Sequence, residues 1–261
     1  MLVLFAMTMI DTHTHIYGKQ FDNDRQAMMQ RAFDKGINKF YLPGIDSEVI
    51  DRMLEMETNY PGKCFAMIGL HPCSVNENYK EELRIVEDWL AVRSFPAVGE
   101  IGLDFYWDKT FTSQQFEAFH FQIELALKYQ LPIVIHTRNA MPETIEVVKQ
   151  YGGRNLRGIF HCFSGTYGQA MEIIEAGFYL GIGGVVTYKN GGLAEVVAQI
   201  PLQHIVLETD APYLTPVPFR GKRNESSYLK YVAEKLAEIY KVPVETIANT
   251  TSLNAEKIFG C

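Results

Sequence analysis

Residues 96–104 and 131–137 read PAVGEIGLD and LPIVIHT, and these two stretches decide the fold. Each is a run rich in Val, Ile and Leu that carries an acid or a histidine toward its end. Continuous hydrophobicity of this kind is typical of strands that are buried on both faces of a parallel sheet. Between them, residues 113–130 place apolar side chains at spacings of three and four, which is typical of a helix packed on one face. The pattern therefore predicts two parallel strands joined by a helical crossover.

The same unit recurs along the whole chain. Six further stretches combine an apolar run with a polar or glycine-containing turn: MTMID (7–11), NKFYLPG (38–44), CFAMIGLHP (64–72), RGIFHCFSG (157–165), FYLGIGG (178–184) and HIVLETD (204–210). A second helical pattern runs from about 227 to 240. Eight strands alternating with helices in 261 residues predict an α/β fold, a single (β/α)8 TIM-type barrel, rather than an open doubly wound sheet. No linker interrupts the pattern, so residues 1–261 are interpreted as one domain.

The composition excludes several classes of protein. A content of 47% hydrophobic and 21% charged residues is ordinary for a folded globular chain. A net charge of −7 would repel a nucleic-acid duplex, so any phosphate must be bound locally. The apolar opening MLVLFAMTMI lacks the basic start of a secretion signal and is shorter than the ~20 residues of a membrane span. We therefore expect a cytoplasmic protein with reduced thiols, no membrane association and no obligate protein partner.

Ligand-type side chains recur where the apolar runs end. His13 and His15 close the first run, and in an extended backbone a His-x-His pair points both rings to the same side. The other such residues are His71, Glu100, His136, His161, Glu208 and Asp210. Each alone has an ordinary structural explanation as a satisfied polar group. Because all strand ends of a barrel converge on one rim, together they predict a buried cluster that needs a divalent cation to offset its charge.

Two segments are candidates for phosphate binding. Residues 181–184, GIGG, either cradle a phosphate on backbone N–H groups or form a tight turn. The basic loop at 220–223, RGKR, either clamps phosphate oxygens or is a solvated surface loop. Arg138, two residues after His136, is placed to do similar work.

The motifs resemble those of the TatD-like metal-dependent deoxyribonucleases, within the wider amidohydrolase-like superfamily. The resemblance covers essentially the whole chain and is carried in order by IDTHTH, GLHP, GEIGLD, IHTR, HCFSG, GIGG, LETDAPYL, RGKRNE and NAEKIF. Two positions depart from the family pattern. Ser226 stands where the family usually has proline, and Cys73 is an individual variation.

The resemblance implies a site with two divalent metal ions, Zn, Mn or Mg. One ion is expected on His13, His15, Glu100 and Asp210, and the other on Glu100, His136 and His161, so that Glu100 bridges them. His71 is expected to face the substrate. The implied phosphate contacts are Arg138, Ser164, Arg220 and Arg223, and Glu225 is expected to orient a metal ligand.

The favoured function is hydrolysis of phosphodiester bonds in single-stranded DNA, with Asp210, Glu100 and His71 as the catalytic residues. Asp210 would accept the proton of the attacking water, and Phe105 or Tyr106 would stack on a base. A hydrolase of small amides, esters or lactones on the same barrel is the first alternative, and it would not need the basic loop. A metal-binding or docking protein without catalysis is the second, although docking would not require these ionisable groups.

Overall fold

The structure of the protein is a computed structural model that describes residues 8–260. Its strands are β1 (Met9–Asp11), β2 (Ile37–Leu42), β3 (Cys64–Ala66), β4 (Val98–Asp104), β5 (Ile133–Arg138), β6 (Gly158–Phe160), β7 (Phe178–Ile182) and β8 (Ile205–Leu207). Its α-helices are α1 (Arg25–Asp34), α2 (Ile50–Asn59), α3 (Tyr79–Val92), α4 (Thr112–Lys128), α5 (Met141–Lys149), α6 (Tyr167–Glu175), α7 (Leu193–Val197), α8 (Leu229–Tyr240) and α9 (Val244–Phe259). All eight predicted strands and both predicted helices are present. Within residues 8–260, no helix has the length and apolar character needed to cross a membrane.

Most strands are shorter than the stretches that predicted them, because those stretches included the turns that follow. The clearest case is β3, which ends at Ala66, whereas the apolar stretch runs on to Pro72. His71 begins a turn of 3-10 helix over Pro72–Ser74, and proline has no N–H to give to a sheet. Met7, the first residue of MTMID, lies outside the described residues.

The strands pair in parallel and in chain order, in one run from β1 to β3 and another from β4 to β8. Two junctions join the runs. Between β3 and β4, Ile68 pairs with Val98, and the Gly99 N–H donates to the Ile68 carbonyl at 2.8 Å. Between β8 and β1, the Thr12 N–H donates to the Leu207 carbonyl at 3.0 Å. The strands therefore form the predicted (β/α)8 barrel.

Helix α9 plugs one end of the barrel. The interior holds a buried apolar cluster with a side chain from, or next to, nearly every strand: Ile10, Tyr41, Met67, Ala97, Val134, Ile159 and Val206. The Phe259 ring stacks on Tyr41 with centroids 3.7 Å apart. Asn254 Nδ2 donates to the carbonyls of Leu202 and Ile205, at the start of β8. Since α9 covers the N-terminal strand ends, the C-terminal ends form the opposite rim, which we call the mouth.

A buried carboxyl group ties the first and last strands together beneath the mouth. Asp11, fully buried at the end of β1, accepts hydrogen bonds from the Thr209 N–H at 2.9 Å and the Thr209 hydroxyl at 2.6 Å. Burial raises the pKa of Asp11 to about 7. The carboxyl group depends on these donors because a buried oxygen that loses its hydrogen bond pays the cost of desolvation.

Removing the Thr209 hydroxyl is expected to destabilise the barrel. Thr209→Val leaves Asp11 with one donor fewer and should lower the free energy of unfolding by about 1–3 kcal/mol, measured by urea unfolding in the presence of a chelator. Thr251→Val is the matched control, because the Thr251 hydroxyl donates only within α9, to the Ile247 carbonyl at 2.8 Å and the Ala248 carbonyl at 3.4 Å. An equal loss in both variants would contradict the role assigned to Asp11.

Candidate metal centre

The mouth gathers every residue that the sequence predicts as a metal ligand. The buried or half-buried cluster consists of His13, His15, His71, Glu100, His136, His161 and Asp210. Glu100 lies within β4 and His136 within β5, and the others follow the C-terminal ends of β1, β3, β6 and β8. Residues up to 197 positions apart in the chain thus meet because parallel strands of a closed barrel all end at the same rim.

Glu100 divides the cluster into two halves. Its Oε2 lies 3.1 Å from His13 Nε2 and 3.7 Å from His15 Nε2. Its Oε1 lies 2.7 Å from His136 Nδ1 and 3.1 Å from His161 Nε2. Burial alone would raise the pKa of Glu100, but the surrounding imidazoles outweigh it and hold the pKa well below its usual range. Oε2 of this ionised carboxylate therefore faces His13 and His15, whereas Oε1 faces a separate group of imidazoles that includes His136 and His161.

Asp210 completes the half that contains His13 and His15. Its Oδ1 lies 3.8 Å from His13 Nε2 and 3.5 Å from His15 Nε2. The backbone of Asp210 is left-handed, with φ 55°, and its N–H donates to the His13 carbonyl at 2.9 Å. Burial would raise the pKa of Asp210, but the neighbouring histidines lower it, so the carboxylate is ionised at neutral pH.

His13 supplies the test of whether this donor set fits a metal ion. The ring is completely buried, and within the described residues neither of its nitrogens has an aligned hydrogen bond. Burial, together with the stacked His161 ring at 3.7 Å, lowers the pKa of His13, so the imidazole is neutral. A neutral buried imidazole without a hydrogen bond is costly unless its lone pair binds something. The cluster therefore fits a cation.

Tyr17 fixes the tautomer of His15. The Tyr17 hydroxyl donates to the Pro43 carbonyl at 2.6 Å, and the same oxygen lies 2.8 Å from His15 Nδ1. Because the phenolic proton is committed to the carbonyl, His15 Nδ1 must carry a proton and donate to Tyr17. The Nε2 lone pair then points toward Glu100 and Asp210. Sequence analysis missed Tyr17, although its position two residues after His15 is a usable signal.

Asp104 orients His136. The sequence analysis did not assign a role to Asp104, although this residue is the last of the GEIGLD motif. Its Oδ2 lies 2.8 Å from His136 Nε2, and its Oδ1 accepts the N–H groups of Tyr106 and Trp107 at 2.9 and 3.2 Å. Burial would lower the pKa of His136, but its hydrogen bonds with Asp104 and Glu100 raise it. Because Asp104 takes the Nε2 proton, Nδ1 is the nitrogen that faces Glu100.

Glu208 supports His161 from behind. Glu208 Oε1 accepts the Cys162 N–H at 2.5 Å and lies 3.3 Å from His161 Nδ1, which leaves Nε2 facing Glu100. Burial would lower the pKa of His161, but Glu100 and Glu208 raise it well above its usual value. The sequence placed Glu208 at the mouth without a role, and the structure shows it behind a ligand-type histidine.

The glycines of residues 181–184 accommodate close packing. A Cβ at Gly181 would collide with Glu208 Oε2, and a Cβ at Gly184 would collide with the Leu214 carbonyl. Both contacts are to groups that follow β8. The structure thus supports the tight-turn alternative for this segment rather than a phosphate cradle.

His71 differs from the other histidines in which nitrogen is protonated. The Cys73 N–H donates to His71 Nδ1 at 3.0 Å, so the proton of a neutral His71 ring resides on Nε2. That nitrogen lies 3.4 Å from Glu100 Oε1 and 3.2 Å from His136 Nδ1. His71 therefore presents a donor, not a lone pair, to the cluster. That His71 faces the substrate stays a prediction.

Three of the predicted phosphate contacts are exposed: Arg138 is the last residue of β5, and Ser164 and Arg220 lie on loops. The Arg138 guanidinium lies 3.8 Å from the ring centre of Tyr106, and the Arg220 guanidinium lies 4.4 Å from that of Tyr188. Ser164 lines a cavity of about 330 Å³ that begins after β6. None of the three has a carboxylate partner within the part of the chain that the structure describes.

The structure does not bring Arg223 and Glu225 into the cluster. Arg223 donates to both carboxylate oxygens of Asp24, at 2.7 and 2.8 Å, and Glu225 accepts two hydrogen bonds from Arg31. Arg31 also binds Asp24, so the four side chains form an ion-pair network with α1. Their charges are already neutralised there. The RGKRNE motif alone does not reveal these ion pairs, and the roles expected of Arg223 and Glu225 stay predictions.

The link between Tyr17 and His15 predicts a specific loss of metal affinity. Tyr17→Phe removes the acceptor of the His15 Nδ1 proton and should weaken divalent-ion binding by about 10–100-fold, measured by calorimetry or chelator competition. Tyr240→Phe is the control, because its hydroxyl donates to the carbonyls of Val197 and Ile200, away from the mouth. Equal ion affinities in the two variants would show that Tyr17 does not orient His15.

Comparison with known proteins shows the family to which the chain belongs. Residues 10–260 match the family model described as TatD related DNase. The chain is 40% identical over 252 residues to the metal-dependent hydrolase YabD of Bacillus subtilis, covering 96% of this chain and 98% of YabD. It is 30% identical over 258 residues to the 3'-5' ssDNA/RNA exonuclease TatD of Citrobacter rodentium, covering 97% of this chain and 98% of that protein.

Among solved structures, the chain is similar to YjjV, a TatD homologue from Escherichia coli. The TM-score is 0.92 at 30% identity, and the match covers 98% of this chain and 99% of YjjV. The similarity extends over the whole barrel and includes the strand ends that carry the cluster. The chain therefore belongs to the TatD family and is a metal-dependent hydrolase.

Proposed function

We propose that the protein hydrolyses phosphodiester bonds in single-stranded nucleic acid, preferably DNA, with two divalent ions bridged by Glu100. The observation that carries the proposal is the division of the cluster by the two Glu100 oxygens. One half would hold an ion on His13, His15 and Asp210, and the other on His136 and His161. When bound, the ions would acidify a water molecule and polarise the phosphoryl oxygens.

The protein's own residues supply the proton transfers. Asp210 is ionised and is the most exposed carboxylate of the cluster, at 9% of its surface, so it is the group suited to accept a proton from the attacking water. His71 can donate its Nε2 proton to a phosphoryl oxygen that approaches Glu100. The histidine-rich donor set favours Zn or Mn over Mg.

The charge distribution supports a single strand as the substrate. A net charge of −7 disfavours binding along a duplex, whereas Arg138 and Arg220 offer positive charge locally, beside the mouth. A relative over nearly the full length, TatD of Citrobacter rodentium, carries the name of a 3'-5' ssDNA/RNA exonuclease. Two guanidinium groups without a carboxylate partner among the described residues would not be needed in a hydrolase of neutral amides or lactones.

The central role of Glu100 is testable by an isosteric change. Glu100→Gln removes the negative charge shared by both halves, and we expect loss of bound metal and a fall of at least ~100-fold in cleavage of a 3′-labelled single-stranded oligonucleotide. Metal content is measured by elemental analysis of the same preparation.

Glu57→Gln is the control for this experiment. Glu57 lies on α2, where it accepts the Ala66 N–H and pairs with Arg93 away from the mouth. Full nuclease activity in Glu100→Gln would remove the proposed mechanism. A wild-type enzyme that cleaves small esters or lactones but no phosphodiester would favour the alternative hydrolase.

A further inference from the structure

Two adjacent aromatic rings stand exposed at the mouth after β4. Tyr106 and Trp107 are 50% and 67% exposed, and their ring centres lie 4.9 Å apart in an edge-to-face arrangement. We call this pair the β4 platform. Phe105, the other aromatic that the sequence suggested for stacking, packs instead against Phe116 with ring centres 6.0 Å apart. Burial of large rings is favourable, so rings left exposed beside a catalytic site indicate a contact that forms with substrate.

The β4 platform is held in a fixed relation to the metal centre. Asp104 accepts the N–H groups of both platform residues on one oxygen and contacts His136 with the other. His136 in turn contacts Glu100 at 2.7 Å. A continuous chain of hydrogen bonds therefore joins the backbone of the platform to the carboxylate at the middle of the cluster.

Arg138 lies over both rings of the platform and is closer to Tyr106. Its guanidinium lies 3.8 Å from the ring centre of Tyr106 and 5.3 Å from that of Trp107. The cation thus covers a face of Tyr106, while Trp107 remains the more exposed ring. A stacking surface with a positive charge at its edge complements a nucleobase joined to a phosphate.

A third exposed ring, Tyr213, stands across the mouth. It follows β8, is 54% exposed and lies edge-to-face with His15, with ring centres 6.1 Å apart. Its backbone is anchored, because its N–H donates to the Asp210 carbonyl and its carbonyl accepts from Asn224 Nδ2. In a barrel of eight strands in chain order, β4 and β8 are diametrically opposed. The metal centre therefore lies between Tyr213 and the β4 platform.

From this arrangement we propose that Trp107 and Tyr213 form two base-stacking subsites, one on each side of the phosphodiester that is cleaved. The inference rests on the proposed function and narrows its substrate to a strand with unpaired bases flanking the scissile phosphate. Bases within a duplex stack on each other and cannot reach both rings. The subsites would bind bases of any sequence, because every base offers a π face.

The test compares oligonucleotides with and without bases at the cleavage site. Wild-type enzyme should cleave a single-stranded DNA whose two flanking nucleosides are abasic with a KM about 10–100-fold higher than the intact strand, at similar kcat. Trp107→Ala and Tyr213→Ala should each raise KM for the intact strand and have little effect on the abasic one. Trp107→Phe should restore most of the affinity.

Phe121→Ala is the matched control, since Phe121 is an exposed ring on α4, away from the mouth. Its KM values should equal those of the wild type. Equal cleavage of both oligonucleotides by the wild type would overturn the stacking subsites while leaving phosphodiester hydrolysis intact. Cleavage of neither would instead overturn the proposed function.

Fluorescence gives a second test that does not depend on the alanine variants. The chain has two tryptophans, so in Trp89→Phe the emission comes from Trp107 alone. Stacking of a base should quench this emission as intact strand binds, and the abasic strand should quench it much less. Unchanged emission at oligonucleotide concentrations that saturate binding, measured by anisotropy of a labelled strand, would overturn the Trp107 subsite.

Discussion

The site depends on one constraint: a fully enclosed carboxylate, Glu100, is surrounded by imidazoles that differ in protonation. An ionised carboxylate in the interior requires compensating positive charge. In the protein alone, contacts with carboxylates raise the pKa of His136 and of His161, whereas burial lowers the pKa of His13, whose nitrogens have no aligned hydrogen bond within the described residues. A bound cation satisfies both groups at once. Because the cation and the protons compete for the same nitrogens, metal binding must release protons.

The barrel explains why such a costly arrangement persists. Helix α9 and the apolar interior close the N-terminal end of the barrel, and the burial of apolar side chains there stabilises the fold. The mouth, at the opposite end, can therefore hold charged groups that destabilise each other. Behind the cluster, Tyr17 sets the tautomer of His15 and Asp104 orients His136, while Glu208 Oε1 lies 3.3 Å from His161 Nδ1. These partners leave one nitrogen of each ring directed at Glu100.

The sequence was sufficient for the fold and for the residues that meet at the mouth, because strand ends and ligand types follow directly from the order of the chain. It was insufficient for Tyr17 and Asp104, whose roles depend on which atom donates to which. It did not reveal the ion pairs of Arg223 and Glu225, since their partners Asp24, just before α1, and Arg31, on α1, lie almost 200 residues earlier and only the folded chain brings them together. The proposal of two base subsites likewise rests on the opposition of β4 and β8, which no linear motif contains.

The most direct test of the account is X-ray diffraction from metal-loaded crystals at the absorption edge of the bound ion. The account predicts two anomalous peaks that share Glu100, one also in contact with His13, His15 and Asp210, and the other with His136 and His161. His71 should contact neither peak. Absence of any peak at Glu100, in protein that still cleaves single-stranded oligonucleotide, would contradict the account.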